Sequence, residues 1–284
     1  MESHDAHKAS DAHKKMIETQ FAIRKAMNRI EHKILVLSGK GGVGKSTVAV
    51  NLAFGLAELG YTAGILDIDI HGPSIGKMAG TENMQIMGGP NNMIHPVVKD
   101  GVRIITMANL LPPGDTPVVW RGPMKANAID QFLGEVDWGD LDFLIIDSPP
   151  GTGDEPLSII QRLPEMDGAV IVSTPQDVAL SDARRTVSFA KMLKIPVLGI
   201  VENMSGFICP DCGKRTDIFK RGGGESAALE MGVDFLGALP IEPSIMVASD
   251  SGIPFVKAHP DSETTAGMMS IIRRIIEKVG AKKA

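Results

Sequence analysis

Gly39-Lys40-Gly41-Gly42-Val43-Gly44-Lys45-Ser46-Thr47 is a glycine-rich stretch that satisfies the pattern G-x-x-x-x-G-K-[ST], and its reading decides the fold. The apolar run Ile34-Leu35-Val36-Leu37 leads into it and reads as a buried strand. Val48 to Leu59 follows with helical periodicity and stops at Gly60, a residue suited to the left-handed cap position. Strand, glycine turn and helix in that order give the motif its physical context. Glycines let successive N–H groups turn into one concavity, and the helix adds its positive N-terminal end. Gly39 through Thr47 is therefore the expected cradle of a nucleotide's phosphates. Lys45 would reach the β- and γ-phosphates, and the Ser46 hydroxyl would meet Mg²⁺.

Working outward, strand-like runs recur at Ala63 to Leu66, Val102 to Ile105, Phe143 to Ile146, Ala169 to Val172, Val197 to Val201 and Phe235 to Leu239. Helical stretches separate several of them, notably Val178 to Leu193. Strands apolar throughout, alternating with helices, predict an α/β fold: a mostly parallel sheet covered by helices on both faces. Upstream, Ile17, Phe21, Ile23, Met27 and Ile30 roughly follow helical spacing, which predicts a leader helix within residues 1–32. Residues 33–284 then form one domain, since no repeat, low-complexity linker or composition break divides them.

Two acidic segments join the phosphate loop. Ile65-Leu66-Asp67-Ile68-Asp69 ends the second strand with two carboxylates on one side of an extended chain. Ile145-Ile146-Asp147 ends another apolar run and reads as the carboxylate that holds Mg²⁺. Ligands of open α/β sheets bind at the carboxyl ends of strands, where all three segments fall. Asp69 is the candidate for positioning an attacking water. The glycines and prolines of 148–154 suit a loop that changes shape when the γ-phosphate leaves. No Asn-Lys-x-Asp stretch for guanine is present, so ATP is expected over GTP.

Bulk composition excludes several classes. Of 284 residues, 43% are hydrophobic and 22% charged, as in an ordinary soluble domain. The net charge of −5 argues against a general nucleic-acid binder. No apolar run approaches the ~20 residues of a membrane span, and the polar first thirty lack a signal's apolar core. Stable membrane insertion is not expected. His4, His7, His13 and His32 read as solvated rather than metal-binding.

The two cysteines, Cys209 and Cys212, stand in Cys209-Pro210-Asp211-Cys212-Gly213-Lys214. Thiols so close in sequence fit a reducing, cytoplasmic setting and metal or redox chemistry better than a structural staple. C-x-x-C can present both sulfurs to one centre but supplies half of four ligands. A two-fold dimer removes the shortage, its two loops surrounding one [4Fe–4S] cluster or one zinc. A zinc knuckle, a reversible disulfide or an incidental pair are the competing readings.

Lys40 is an addition that an ordinary phosphate loop does not need. With it, the loop resembles the deviant Walker A sequence of the nitrogenase-iron-protein, septum-placement and chromosome-partition ATPases. That resemblance implies a nucleotide-sandwich dimer in which Lys40 reaches the partner's phosphates, and an adenine contact for Asn203. Taken with 67–74, 147–154, Ser173 to Leu180 and the Cys209/Cys212 loop, the chain from about Lys33 onward resembles the Mrp/ApbC family of iron–sulfur cluster carrier ATPases. The resemblance implies that Cys209 and Cys212 hold a labile cluster bridging a homodimer. It also implies that the cluster passes to apo-proteins, with Mg·ATP at Lys40, Lys45, Ser46 and Asp147 gating the transfer and hydrolysis slow and coupled to it. The chain departs from some relatives: it has neither the extra N-terminal cysteines of eukaryotic scaffolds nor a separate small N-terminal domain. The alternative function is a membrane- or DNA-associated positioning ATPase, for which the C-terminal helix is the relevant feature. Met268, Met269, Ile272, Ile276 and Val279 make its apolar face, and Arg273, Arg274, Lys278, Lys282 and Lys283 its basic one. Packing of that helix on the sheet is the preferred expectation.

Overall fold

The apolar runs become strands of one sheet. The computed structural model describes residues 2–69, 72–84, 86–89, 93–110, 122–163, 165–209 and 212–282, with the backbone path alone for residues 2–13. The main-sheet strands are β1 (Ile30–Leu37), β2 (Ala63–Asp67), β3 (Val97–Lys99), β4 (Val102–Thr106), β5 (Leu141–Asp147), β6 (Gly168–Ser173), β7 (Val197–Glu202) and β8 (Phe235–Ala238). Their spatial order is β8-β7-β6-β1-β5-β2-β4-β3. Every neighbouring pair is parallel except β3 with β4. The predicted architecture is the observed one.

The helices are α1 (Glu2–Met27), α2 (Lys45–Glu58), α3 (Gly122–Gly134), α4 (Asp154–Ile160), α5 (Asp177–Met192), α6 (Gly223–Met231), α7 (Pro243–Asp250) and α8 (Glu263–Val279), with single turns at Ile75–Met78 and Phe255–Ala258. Because side chains alternate along a strand, Leu35 and Leu37 enter one core layer while Ile34 and Val36 enter the other. The first layer is closed by α1, α3, α5 and α6 through Ile23, Phe132, Val187 and Ala227. The second is closed by α2 and α8 through Leu52, Phe54, Ile271 and Ile272. Ten of the fourteen residues of α2 are buried, as expected of a helix enclosed on several sides.

Two expectations shift. β1 starts at Ile30, ahead of the predicted Ile34, because the polar-looking opening hides an alternation: Ile30 and His32 point inward while Glu31 stays exposed. His32 is held by Phe143, ring centroids 5.1 Å apart, and by Asp167 at 3.2 Å from Nδ1. The reading of His32 as a solvated residue is therefore corrected, since 7% of it is exposed; the side chains of His4, His7 and His13 lie outside the described residues. On α1, Ile23 and Met27 are buried, whereas Met16, Ile17 and Phe21 remain exposed. The apolar face inferred from spacing is thus used only over its last two turns.

The C-terminal helix follows the preferred expectation. Met268, Ile271, Ile272 and Ile275 are buried, with Met269, Ile276 and Val279 packed beside them. Gly55 of α2 has no room for a Cβ because Ile272 lies against it. Arg274 donates to the carbonyls of Phe235 and Leu236, both at 3.0 Å, and Lys278 pairs with Asp234. Its apolar face is spent on the sheet rather than left for lipid; Lys283 lies outside the described residues. Among the described residues no helix is long and apolar enough to cross a membrane.

Candidate functional site

The phosphate loop joins β1 to α2 at the carboxyl end of the sheet. Gly42 and Gly44 adopt φ of 78° and 84°, the left-handed region that a side chain disfavours. Neither Gly39 nor Gly44 has room for a Cβ: the first lies against the Asp182 backbone, at 2.5 Å, and the second against the Asn203 amide. Gly44 caps α2 with no side-chain hydrogen bond. The first-turn N–H groups of α2 are thus left for an anion. A cavity of about 240 Å³ opens there, lined by residues of the loop together with Asp69, Ser74, Met78 and Pro150. Lys40 stands half-buried at its edge. A larger cavity, about 810 Å³, lies between α1 and residues 161–163 and 165–167 at the other ends of the strands. Among the described residues its lining has no glycine-rich backbone or helix N-terminus, so size does not identify the nucleotide site.

The structure brings the predicted charged residues together. Lys45 is buried, its Nζ 2.6 Å from Asp147 and 3.9 Å from Asp69. Ser46 Oγ donates to the second oxygen of Asp147 at 2.6 Å. Pairing of β2 with β5 sets Asp67 directly beside Asp147. Asp67 also accepts from Thr106 Oγ1 at 2.8 Å and from the Asp69 N–H at 3.0 Å. The expectation of Asp67 and Asp69 as two acids of one extended strand is refined: β2 ends at Asp67, and Asp69 lies in the following loop, where it accepts from the Gly72 N–H. Ile70 and His71 lie outside the described residues.

Two carboxylates, Asp147 and Asp69, share the Lys45 ammonium, with Asp67 beside Asp147, and the pocket is short of positive charge. Burial first, and then the neighbouring Asp147 carboxylate, push Asp67 up to about 8. Burial raises Asp147 as well, against the opposing pull of Lys45 and the Ser46 hydroxyl. A divalent cation fits this donor set, because it brings the missing charge to the oxygens of Ser46 and Asp147, while the loop N–H groups and Lys45 suit a polyphosphate. The sign of the pH effect follows. The folded chain keeps a proton on Asp67 that the unfolded chain releases near pH ~4, so this stability is complete at low pH and is lost as pH rises through about 8. In a chelator-treated, nucleotide-free protein, Asp67→Asn should raise the melting temperature several degrees more at pH 8 than at pH 5, at roughly 2–4 °C per kcal/mol. Equal shifts at both pH values would contradict it.

Beside the phosphate loop, Gly151 N–H donates to the Ser38 carbonyl at 2.8 Å, tying the 148–154 loop to the start of the cradle. Asn203 is buried, and its amide donates to the Val43 carbonyl at 2.9 Å. It therefore stands under the phosphate loop.

Four residues further on, Phe207–Ile208 pairs antiparallel with Arg215–Thr216 to form a short ribbon. The cysteines sit at its turn. Cys209 N–H donates to Lys214 O at 3.0 Å, Gly213 N–H donates to Cys209 O at 2.9 Å, and Gly213 has φ of 68°. Cys209 is half-buried and Cys212 exposed, while Pro210 and Asp211 lie outside the described residues. Among the described residues no group of three His, Cys, Asp or Glu side chains gathers as a metal site. His259 is exposed and lies against the Phe255 ring, centroids 5.0 Å apart.

Sequence reasoning missed Glu202. It is fully buried at the end of β7 and takes three hydrogen bonds, from Ser205, Gly222 and Gly224. The signal was present: an acid closing an apolar strand, as in Ile145-Ile146-Asp147.

A glycine cradle at a helix N-terminus, with its lysine between strand-end carboxylates, defines a P-loop nucleoside triphosphatase. The profile of the NUBPL iron-transfer P-loop NTPases matches residues 29–276, and the chain belongs to that family. The chain is 54% identical over 271 residues to a protein of Methanocaldococcus jannaschii named iron-sulfur cluster carrier protein, covering 95% of this chain and 93% of the relative. It is 46% identical to a Dictyostelium discoideum protein named as a NUBP2 homolog, a cytosolic Fe-S cluster assembly factor, covering 87% and 94%. A solved nucleotide-binding protein from Archaeoglobus fulgidus in complex with ADP superposes with a TM-score of 0.74 at 39% identity, over 83% of this chain and 92% of that one. The cell division ATPase MinD of Pyrococcus furiosus gives 0.65 at 23% identity, covering 87% and 99%, and so shares the fold.

Proposed function

We propose that the protein is a cytoplasmic, Mg²⁺-dependent ATPase that carries a [4Fe–4S] cluster between two copies of the chain and delivers it to apo-proteins. The observation that carries this reading is the cysteine turn: two thiols at the tip of a ribbon, on the nucleotide side of the sheet, with no third ligand gathered beside them among the described residues. A second copy of the turn supplies the other two sulfurs. The names of the relatives support the cargo, and the ADP complex of the Archaeoglobus protein supports the nucleotide.

Within this reading the leader helix packs its last turns, through Ile23 and Met27, on the ATPase domain that follows. Lys45 with the N–H groups of residues 39–47 holds the phosphates. Ser46 and Asp147 would hold Mg²⁺, and its charge would offset that of the phosphate oxygens. Asp69 orients the attacking water, and Asn203 meets the adenine from its place beneath the loop. Lys40 serves the partner's nucleotide in the manner of an arginine finger.

The test is anaerobic reconstitution with iron and sulfide, followed by metal analysis and a mass measurement with and without ATP. One cluster per two chains in a dimeric species is expected; a strictly monomeric protein holding its full metal overturns the reading, and zinc in place of iron overturns the cargo. Lys40→Ala should lower turnover by about 1,000-fold or more in the dimer, given what a trans-acting cation contributes to phosphoryl transfer. Unchanged turnover, assayed across protein concentrations, would remove Lys40 from the partner's site.

A further inference from the structure

We infer that Glu202 is the positioning residue of the cysteine loop, clamping together the two ends of the 203–222 excursion that carries Cys209 and Cys212. The excursion leaves the sheet after β7 and returns at the start of α6, and both ends meet on this one carboxylate. Oε1 accepts from Ser205 Oγ at 2.5 Å on the outgoing side and from Gly222 N–H at 3.0 Å on the returning side. Oε2 accepts from Gly224 N–H at 2.5 Å. The side chain is fully buried. It lies at the N-terminus of α6, where a negative group is favoured.

The surroundings leave the clamp little freedom. A Cβ on Gly224 would come within 3.0 Å of Glu202, and one on Gly223 within 2.8 Å of the Pro175 carbonyl. Ser205 is fixed further by its N–H on Leu239 O at 2.8 Å and by Arg215, which donates to its carbonyl at 3.0 Å. Arg215 lies in the returning strand of the cysteine ribbon, so the root and the ribbon are tied to each other. The residue after Glu202, Asn203, bonds the phosphate-loop carbonyl of Val43. The cysteine loop is thus hung from a point one residue away from the nucleotide cradle.

All three partners of Glu202 are donors. An isosteric amide fills the same volume but turns its NH₂ group toward the Gly224 N–H or, flipped, toward the Gly222 N–H, so a returning-side N–H loses its acceptor. The role follows from the apoprotein's geometry; its consequence, tighter hold on the cluster, rests on the carrier reading.

The experiment compares wild-type and Glu202→Gln full-length protein, metal-free, by hydrogen–deuterium exchange, and then after reconstitution by the rate at which a chelator strips iron. Amides in 205–224 should exchange about 10-fold faster or more in the variant, while those of 34–47 stay within about threefold. Iron loading should be unchanged and its loss to chelator roughly fivefold faster or more, as expected when an outer partner of the ligand loop is removed. Unchanged exchange in 205–224, or equal acceleration in 34–47, overturns the assignment. If Glu202→Gln does not fold, Ser205→Ala keeps the carboxylate and deletes one donor. It should give a smaller acceleration confined to the same segment, and none would overturn the assignment. A protein that takes up no cluster while showing the predicted exchange pattern refutes the cargo and leaves the clamp standing.

Discussion

Lys45→Ala is expected to abolish ATP binding, weakening it at least ~100-fold, about 2.7 kcal/mol. Among the described residues the ammonium is the sole cation set against Asp147 and Asp69, at 2.6 and 3.9 Å, and it lies inside the glycine cradle. Removing it deletes the phosphate contact and also leaves two buried carboxylates uncompensated. Breaking one side of a buried pair costs about 3–5 kcal/mol when the remaining charge cannot escape. Asp147 has an escape, since burial already raises it and loss of Lys45 raises it further; it takes up a proton. The stability lost by the variant is therefore small at low pH and grows as pH rises. Lys45→Ala combined with Asp147→Asn should recover most of that stability and none of the binding. Calorimetric titration with Mg·ATP and thermal melts at two pH values separate the two effects. ATP affinity within about tenfold of wild type would sink the cradle assignment.

Cys209→Ala and Cys212→Ala should each reduce bound iron to background. In a dimer either change removes two of the four sulfurs that a [4Fe–4S] cluster needs, so partial retention is not expected. Folding is spared. Cys212 is exposed, and the turn at Cys209 is held by backbone bonds to Lys214 and Gly213 that survive loss of the side chain. Stability should change by no more than about 0.5 kcal/mol for Cys212→Ala, as for an ordinary surface position. Nucleotide binding survives, because the residue that touches the phosphate loop, Asn203, precedes the ribbon. Iron analysis and the visible spectrum after anaerobic reconstitution are the measurements. A stoichiometric cluster in either variant would refute the ligand assignment.

Much of this site was legible before any coordinates, for a definite reason. The phosphate loop, the strand-end acids and the C-x-x-C pair are chemistry written within single short segments. The sheet was legible because β1, β2, β5, β6 and β7 are apolar on both faces. Val97–Lys99 and the ribbon Phe207–Ile208 with Arg215–Thr216 were not. Strands of two or three residues have no period to detect, and their existence depends on the partner they pair with. The opening of β1 escaped because His32 looks solvated until Phe143 and Asp167 close over it.

The sequence by itself determined the class of fold, the phosphate cradle with Lys45 and Ser46, the acids Asp69 and Asp147, and the thiol pair. Each follows from the chemistry of a local run. Tertiary structure alone decided that Asp67 stands beside Asp147 and is pushed up to about 8, through the register of β2 on β5. It also decided that Asn203 lies under Val43, that Glu202 closes the root of the cysteine loop, and that α8 spends its apolar face on the sheet. These depend on residues far apart along the chain meeting in a water-poor interior. There the cost of an unpaired charge or donor, absent from any single segment, selects the partner.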